Sequence, residues 1–215
     1  MSTFDADPNM GEETTQVRVT WTDASDGANP AATIAYNVYL STQPICFNYG
    51  SPIVTVGAGA LEAIVPGLQP RTLYSIVVRA VDGAGNMSLN TAPVNVTTYT
   101  SLTQNVFQLV STLCVGCHNP GGTATQNPYF INMNYSTPQT VRNSWVGAAS
   151  QCAQAAANGF PTRVVAGSPG TSFLYNKIST DTPACGLRMP FGQTPLTADQ
   201  QSVFEDWISQ GALDN

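Results

Sequence analysis

Residues 68–82 read Leu-Gln-Pro-Arg-Thr-Leu-Tyr-Ser-Ile-Val-Val-Arg-Ala-Val-Asp, and their period sets the architecture of the first half of the chain. Tyr74, Ile76, Val78 and Ala80 alternate with their neighbours, the two-residue repeat of a strand that buries one face. The same alternation runs through Val17, Val19 and Trp21, through Ile34, Tyr36, Val38 and Leu40, through Ile53, Val54 and Val56, and through Val94 and Val96. Turn clusters separate these runs: Asp26-Gly27-Ala-Asn29-Pro30, Gly57-Ala-Gly59, Pro66-Gly67 and Asp82-Gly83-Ala-Gly85-Asn86. Short strands at this spacing, with no helical pattern among them, predict an antiparallel sandwich over residues 1–98. Residues 1–12 are expected to be loose or to add a short edge segment.

This stretch resembles a fibronectin type III domain. Trp21 stands where that family carries an early-strand core Trp. Leu68-Gln-Pro70-Arg-Thr-Leu-Tyr74 matches its corner motif, in which the Tyr hydroxyl ties back to nearby backbone. Val78-Arg-Ala80-Val-Asp82, followed by Gly85-Asn86, matches the next strand and turn, so the likeness covers nearly all of residues 12–99. The resemblance implies an immunoglobulin-like fold acting as a spacer or docking module, and no chemistry.

From Thr100 the period becomes helical. Leu102, Val106, Phe107, Leu109, Val110 and Leu113 share a face, with Ser101 as N-cap. At the far end Thr197-Ala-Asp-Gln200 is a capping box, and Val203, Phe204, Trp207, Ile208 and Ala212 form the apolar stripe, with Gly211 placed to stop the helix. A short helix is expected over Ser172 to Ile178, within a Gly/Pro/Asn-rich middle. The boundary is placed at residues 98–101, giving a second, all-α domain over 99–215.

The first of these helices runs into Cys114-Val115-Gly116-Cys117-His118. C-x-x-C-H is the attachment signal of c-type haem: two thiols three positions apart form thioethers to the two vinyl groups, and the following His118 becomes the proximal iron ligand. A redox-active dithiol would follow a strand in a βαβ pattern, and none precedes it. A zinc site would need two more ligands, while His118 is the one His of the chain. With no second imidazole, the sixth ligand falls to methionine. Met1, Met10 and Met87 lie outside the helical half. Of the other two, Met133 reads as a packing or loop residue, whereas Met189 stands in Gly186-Leu-Arg-Met189-Pro190-Phe-Gly192, where Pro190 disfavours helix. Ordinary core filling is the competing role for Met189.

Residues 100–215 thus resemble a class I cytochrome c domain: a helix, C-x-x-C-H, and a distant Met-Pro loop before a closing helix. Arg163-Val-Val-Ala-Gly167-Ser-Pro-Gly-Thr-Ser172-Phe-Leu174, Arg188-Met-Pro190 and Trp207-Ile-x-x-Gly211-Ala212 resemble the single-haem domains of large bacterial secreted proteins. The resemblance implies one covalent haem c on Cys114 and Cys117, with His118 and Met189 on the iron. Residues 119–165 do not map onto the family. Further pocket candidates are Pro120 and Gly121 for a tight turn past the ring, and Leu174, Tyr175 and Phe191 as apolar walls. Arg163, Arg188, Lys177 and Trp145 are candidates for the propionates, Arg163 first, because a buried carboxylate needs a charged or hydrogen-bonding partner.

Cys152 and Cys185 are expected to pair, closing a loop of about 34 residues around the segment that presents Met189; two free thiols are the alternative. Cys46 is expected to be a buried small hydrophobe, with intermolecular pairing as the alternative. Thioether-linked haem and a disulfide both point to a periplasmic or extracellular site. The opening Met-Ser-Thr-Phe-Asp-Ala-Asp has neither a basic nor an apolar leader region. No run of 18 apolar residues is present. Charged residues make up 9% of the 215, with 7 Lys+Arg against 13 Asp+Glu, a balance that argues against nucleic acid. Residues 1–98 hold three basic and eight acidic side chains, net −5, and residues 99–215 four and five, net −1. Neither half carries a basic ring, so docking to redox protein partners is expected to be apolar or neutral-polar.

Two side-chain ligands leave the iron no open position, which predicts outer-sphere electron transfer rather than enzymatic turnover. Peroxidase-like activity would require loss of the Met ligand. The alternative is a structural subunit that self-assembles into a haem-bearing filament or surface complex.

Overall fold

The computed structural model describes residues 2–3, 14–24, 33–119 and 134–215, and the chain divides into two compact units, Met1–Thr98 and Tyr99–Asn215. Alternation in the first unit yields strands β1 (Ser2–Thr3), β2 (Val17–Trp21), β3 (Ala35–Ser41), β4 (Val54–Val56), β5 (Glu62–Val65), β6 (Leu73–Val81) and β7 (Val94–Thr97). They form two antiparallel sheets, in the orders β1-β2-β5 and β4-β3-β6-β7. Register follows from which residues must be dry: Val19 lies opposite Ala63 and Val38 opposite Val78, so the inward residues of paired strands coincide. Val17, Val19, Trp21, Tyr36, Val38, Val65, Tyr74, Ile76 and Val78 make the core between the sheets. Tyr74 closes the corner: its hydroxyl accepts the Gln69 N–H at 2.9 Å. The Trp21 indole N–H donates to the Ala60 carbonyl at 3.1 Å. The Asp82 turn satisfies its own backbone, with Asp82 Oδ1 accepting from Ala84 and Asn86 and Gly85 at φ 88°.

Two expectations for this unit are corrected. Simple alternation predicts a wet outer face on β6, yet Ser75, Val77 and Arg79 are buried as well. Tyr39, from β3, is buried on that side, and the Arg79 guanidinium stacks 3.3 Å from the centroid of the Tyr49 ring. Cys46, expected to be buried, is exposed. It follows Ile45, 89% exposed, in the turn after β3, where the chain has left the sheet and has no opposing layer to pack against.

The second unit is helical: α1 (Phe107–Leu113), α2 (Pro138–Trp145), α3 (Ala153–Ala157), α4 (Phe173–Ser179) and α5 (Ala198–Ser209). A wide first turn over Leu102–Val106 precedes α1, in which the Val106 N–H reaches the Ser101 carbonyl, five residues back. Ser101 caps it, its hydroxyl accepting the Gln104 N–H at 3.1 Å. Leu102, Val106 and Val110 are fully buried, while Phe107, Leu109 and Leu113 are half-buried at the edge of the stripe. The Thr197–Gln200 capping box forms in both directions at the start of α5, which buries Phe204, Trp207 and Ile208. Past its end, Gly211 sits at φ 100° and the Ala212 N–H returns to the Trp207 carbonyl. The polar middle holds two helices the periodicity does not predict. α2 starts at a reciprocal Thr137–Thr140 box with Pro138 in its first turn. α3 is a single short run of alanines and Gln154.

Candidate functional site

The Cys-x-x-Cys-His run continues α1 as a further turn. The Cys114 N–H donates to the Val110 carbonyl at 2.9 Å, and the Cys114 carbonyl accepts the N–H groups of Cys117 and His118 at 3.2 and 2.9 Å. One turn therefore carries both thiols and the imidazole. Cys114 and Cys117 are free and half-buried, whereas Cys152 and Cys185 are joined in a disulfide. Burial, and then the neighbouring Cys117, push the Cys114 thiol up to about 12. A dithiol that exchanges disulfides needs the opposite shift. Burial, followed by the nearby Lys177 ammonium, lowers His118 below its ordinary range, so its imidazole is neutral at pH 7. Among the described residues no group of three or more His, Cys, Asp or Glu side chains is placed to hold a metal ion.

Tyr135 is the site residue that sequence reasoning missed. Its ring lies 5.9 Å from that of His118 and 5.4 Å, edge-on, from Trp145, and its hydroxyl accepts the Trp145 indole N–H at 2.7 Å. Burial raises the phenol strongly, and both Cys114 and Arg163 act on it electrostatically. No local signal marks it: the residue that folds back onto a helix start stands immediately before the N-cap, here Ser136, and Tyr135 lies one position farther out. Trp145, a propionate candidate, is 2% exposed with its N–H committed to Tyr135, so its role is to hold that ring.

Met189 is half-buried against the helical core, alongside Cys114, Val115, Leu174 and Tyr175. Its N–H donates to the Lys177 carbonyl at 2.8 Å, and its bond to Pro190 is cis. Phe191, also a pocket candidate, is 64% exposed in the loop that follows Pro190. Leu174 packs on the core, while the Tyr175 hydroxyl donates to Glu205 Oε2 at 2.8 Å. Arg163 is 8% exposed, and its guanidinium donates to the Ser144 carbonyl at 2.7 Å. No Asp or Glu pairs with it among the described residues. Arg188 instead pairs with Asp181 at 2.5 Å. The Lys177 ammonium, also a propionate candidate, donates to the carbonyls of Cys185 and Leu187. Met87 belongs to the first unit, where its sulfur accepts from the Tyr39 hydroxyl. Pro120, Gly121 and Met133 lie outside the described residues.

No protein-family model matches the chain. It is 40% identical over 87 residues to Endoglucanase B of Cellulomonas fimi, a match that spans 40% of this chain and 8% of that protein. Among solved structures, it is similar to the central fibronectin-III array of RIM-binding protein, at 20% identity and TM-score 0.34, over 46% of this chain and 34% of that one. It is also similar to the fibronectin type III domain of human fibronectin type III domain containing protein 3, at 24% identity and TM-score 0.31, over 40% and 73%. The FN5 domain of Drosophila Lar matches at 29% identity and TM-score 0.27, over 40% and 82%. By its own strand order and its Tyr74 corner, the first unit is a fibronectin type III-like sandwich.

Proposed function

We propose that the second unit is a c-type cytochrome domain that carries one haem, fixed by Cys114 and Cys117 and ligated by His118 and Met189, and passes single electrons to protein partners outside the cytoplasm. The observation that carries this reading is the turn after α1, which places two free thiols and the chain's one imidazole together while the unit's other two cysteines are paired with each other. The donor set fits: two thiols at the attachment spacing, a neutral imidazole, and a thioether on a loop packed against the same core. Arg163 supplies a second point of fit. A nearly buried cation without a carboxylate is costly, and a haem propionate is the anion it lacks. Haem bound here supplies an Fe(II)/Fe(III) couple.

This chain's own residues then act by holding and screening. Tyr135 lies against the His118 ring, Trp145 holds Tyr135 in place, and Leu174 adds apolar surface to the same core. With His118 and Met189 both committed, no position is open to a substrate, so transfer is outer-sphere. No described helix is long and apolar enough to cross a membrane. The disulfide accords with an oxidising compartment. The sandwich serves as spacer or docking module.

Expression with a haem-maturation system tests the reading. The mass should exceed that of the bare chain by one haem, and Met189→Ala should abolish the far-red sulfur-to-iron absorption of the ferric protein. A colourless product of bare-chain mass would overturn the proposal, and an unchanged Met189→Ala spectrum would overturn the ligand assignment.

A further inference from the structure

The segment 184–189 is neither helix nor strand, yet α4 holds it at successive points. Asn176 Oδ1 accepts the Ala184 N–H at 2.8 Å. The Lys177 ammonium donates to the Cys185 carbonyl at 2.9 Å and to the Leu187 carbonyl. The Lys177 carbonyl accepts the Met189 N–H at 2.8 Å. One residue thus binds positions 185, 187 and 189. Gly186, at φ 64°, bends the chain around the ammonium, and a Cβ there would stand 3.4 Å from Nζ. The Lys177 head group is half-buried, with Nζ 6.0 Å from the centroid of the Phe173 ring and near enough to His118 to act on it electrostatically.

We infer that Lys177 is the positioning residue of the sixth ligand: its contacts to Cys185, Leu187 and Met189 fix where the Met189 sulfur sits. This rests on the reading of Met189 as an iron ligand. The disulfide anchors the loop at Cys185, four residues from the sulfur; Lys177 anchors the interval between. Without the ammonium, two carbonyls lose their donor and the interval has one remaining hydrogen bond to Lys177. The loop then spends more time with the sulfur withdrawn, and an added ligand competes more successfully.

The test is imidazole titration of the ferric holoprotein, followed by visible absorption. Lys177→Leu keeps an apolar stem and removes the donors; it should bind imidazole at least tenfold more tightly than wild type. Lys177→Arg keeps two or more donors and should stay within about threefold. A role confined to general stability would lower the unfolding midpoint and leave imidazole affinity unmoved. Wild-type affinity in Lys177→Leu would overturn the inference, provided the wild-type protein has the mass of one haem and Met189→Ala alters its spectrum. If that proviso fails, the fault lies in the ligand reading itself, and the inference falls with it. Should Lys177→Leu not mature, NMR of the reduced, diamagnetic wild type decides. Slowly exchanging Lys177 ammonium protons with cross-peaks to the backbone of 185–187 are expected, and their absence overturns the inference.

Discussion

Replacing Cys152 and Cys185 together by Ser isolates what their bond contributes to the helical unit. The bridge ties the start of α3 to the segment before Met189 across a sequence separation of 33. For a loop of that length the chain-entropy relation gives about 3.7 kcal/mol at 25 °C, exerted on the unfolded chain. Two hydrogen bonds also hold Ala184 in the folded state, from Asn158 Nδ2 at 3.0 Å and to Asn176 Oδ1 at 2.8 Å. At about 1 kcal/mol each, they are too weak to replace the cross-link. An unfolding entropy of about 2.1 cal/mol/K per residue over roughly 120 residues converts the loss to a midpoint lower by about 15 °C. Calorimetry, and guanidinium unfolding followed by circular dichroism, should therefore show a large downward shift in the helical unit's transition. The m-value should rise, because an uncross-linked unfolded chain exposes more surface. The sandwich, whose Cys46 is free, should melt as before. A loss below about 1 kcal/mol with an unchanged m-value would refute the reasoning, since the constraint would then not act through the unfolded state.

Other outcomes follow from single contacts. Tyr74→Phe removes the acceptor of the Gln69 N–H at a corner that is 6% exposed, and should cost the sandwich about 1–2 kcal/mol in urea unfolding; a loss under about 0.3 kcal/mol would show that the corner is held by packing alone. Tyr175 is raised from 10.0 to about 12 by burial and by its hydrogen bond to Glu205. Above pH 10 the unfolded phenol releases its proton while the folded one keeps it, so the unfolded state binds fewer protons and stability falls between about pH 10 and 12. Tyr175→Phe should flatten that decline, and ultraviolet titration of wild type against variant reads the missing phenol directly; an identical alkaline limb would remove Tyr175 from the account.

The strands were legible because their signal is local. Alternation at Val17–Trp21 names the buried face without reference to any partner, and the Asp82–Asn86 turn satisfies its hydrogen bonds within five residues. The caps at Ser101 and Thr197 were legible for the same reason. The second start, Thr137-Pro138-x-Thr140, carried equally local chemistry, but it introduces α2, an eight-residue helix burying only Val141 and Trp145, too few apolar positions to show a period. Cys46 was misplaced because residue type states a preference for burial and not whether a layer lies opposite.

By itself the amino-acid order determined the two periodicities, the turn chemistry, and a spacing of thiols and imidazole that one further turn of α1 brings together. Each of these is decided by residues within about one turn or one hairpin of each other, where backbone geometry leaves few choices. Only the tertiary structure decided that Tyr135 lies against His118, that β6 is dry on both faces, and that a lysine on α4 braces the Met189 segment. Those contacts join residues whose separation carries no periodic signal. They arise when close packing, and the cost of burying an unpaired polar group, select one arrangement among many that the local pattern allows.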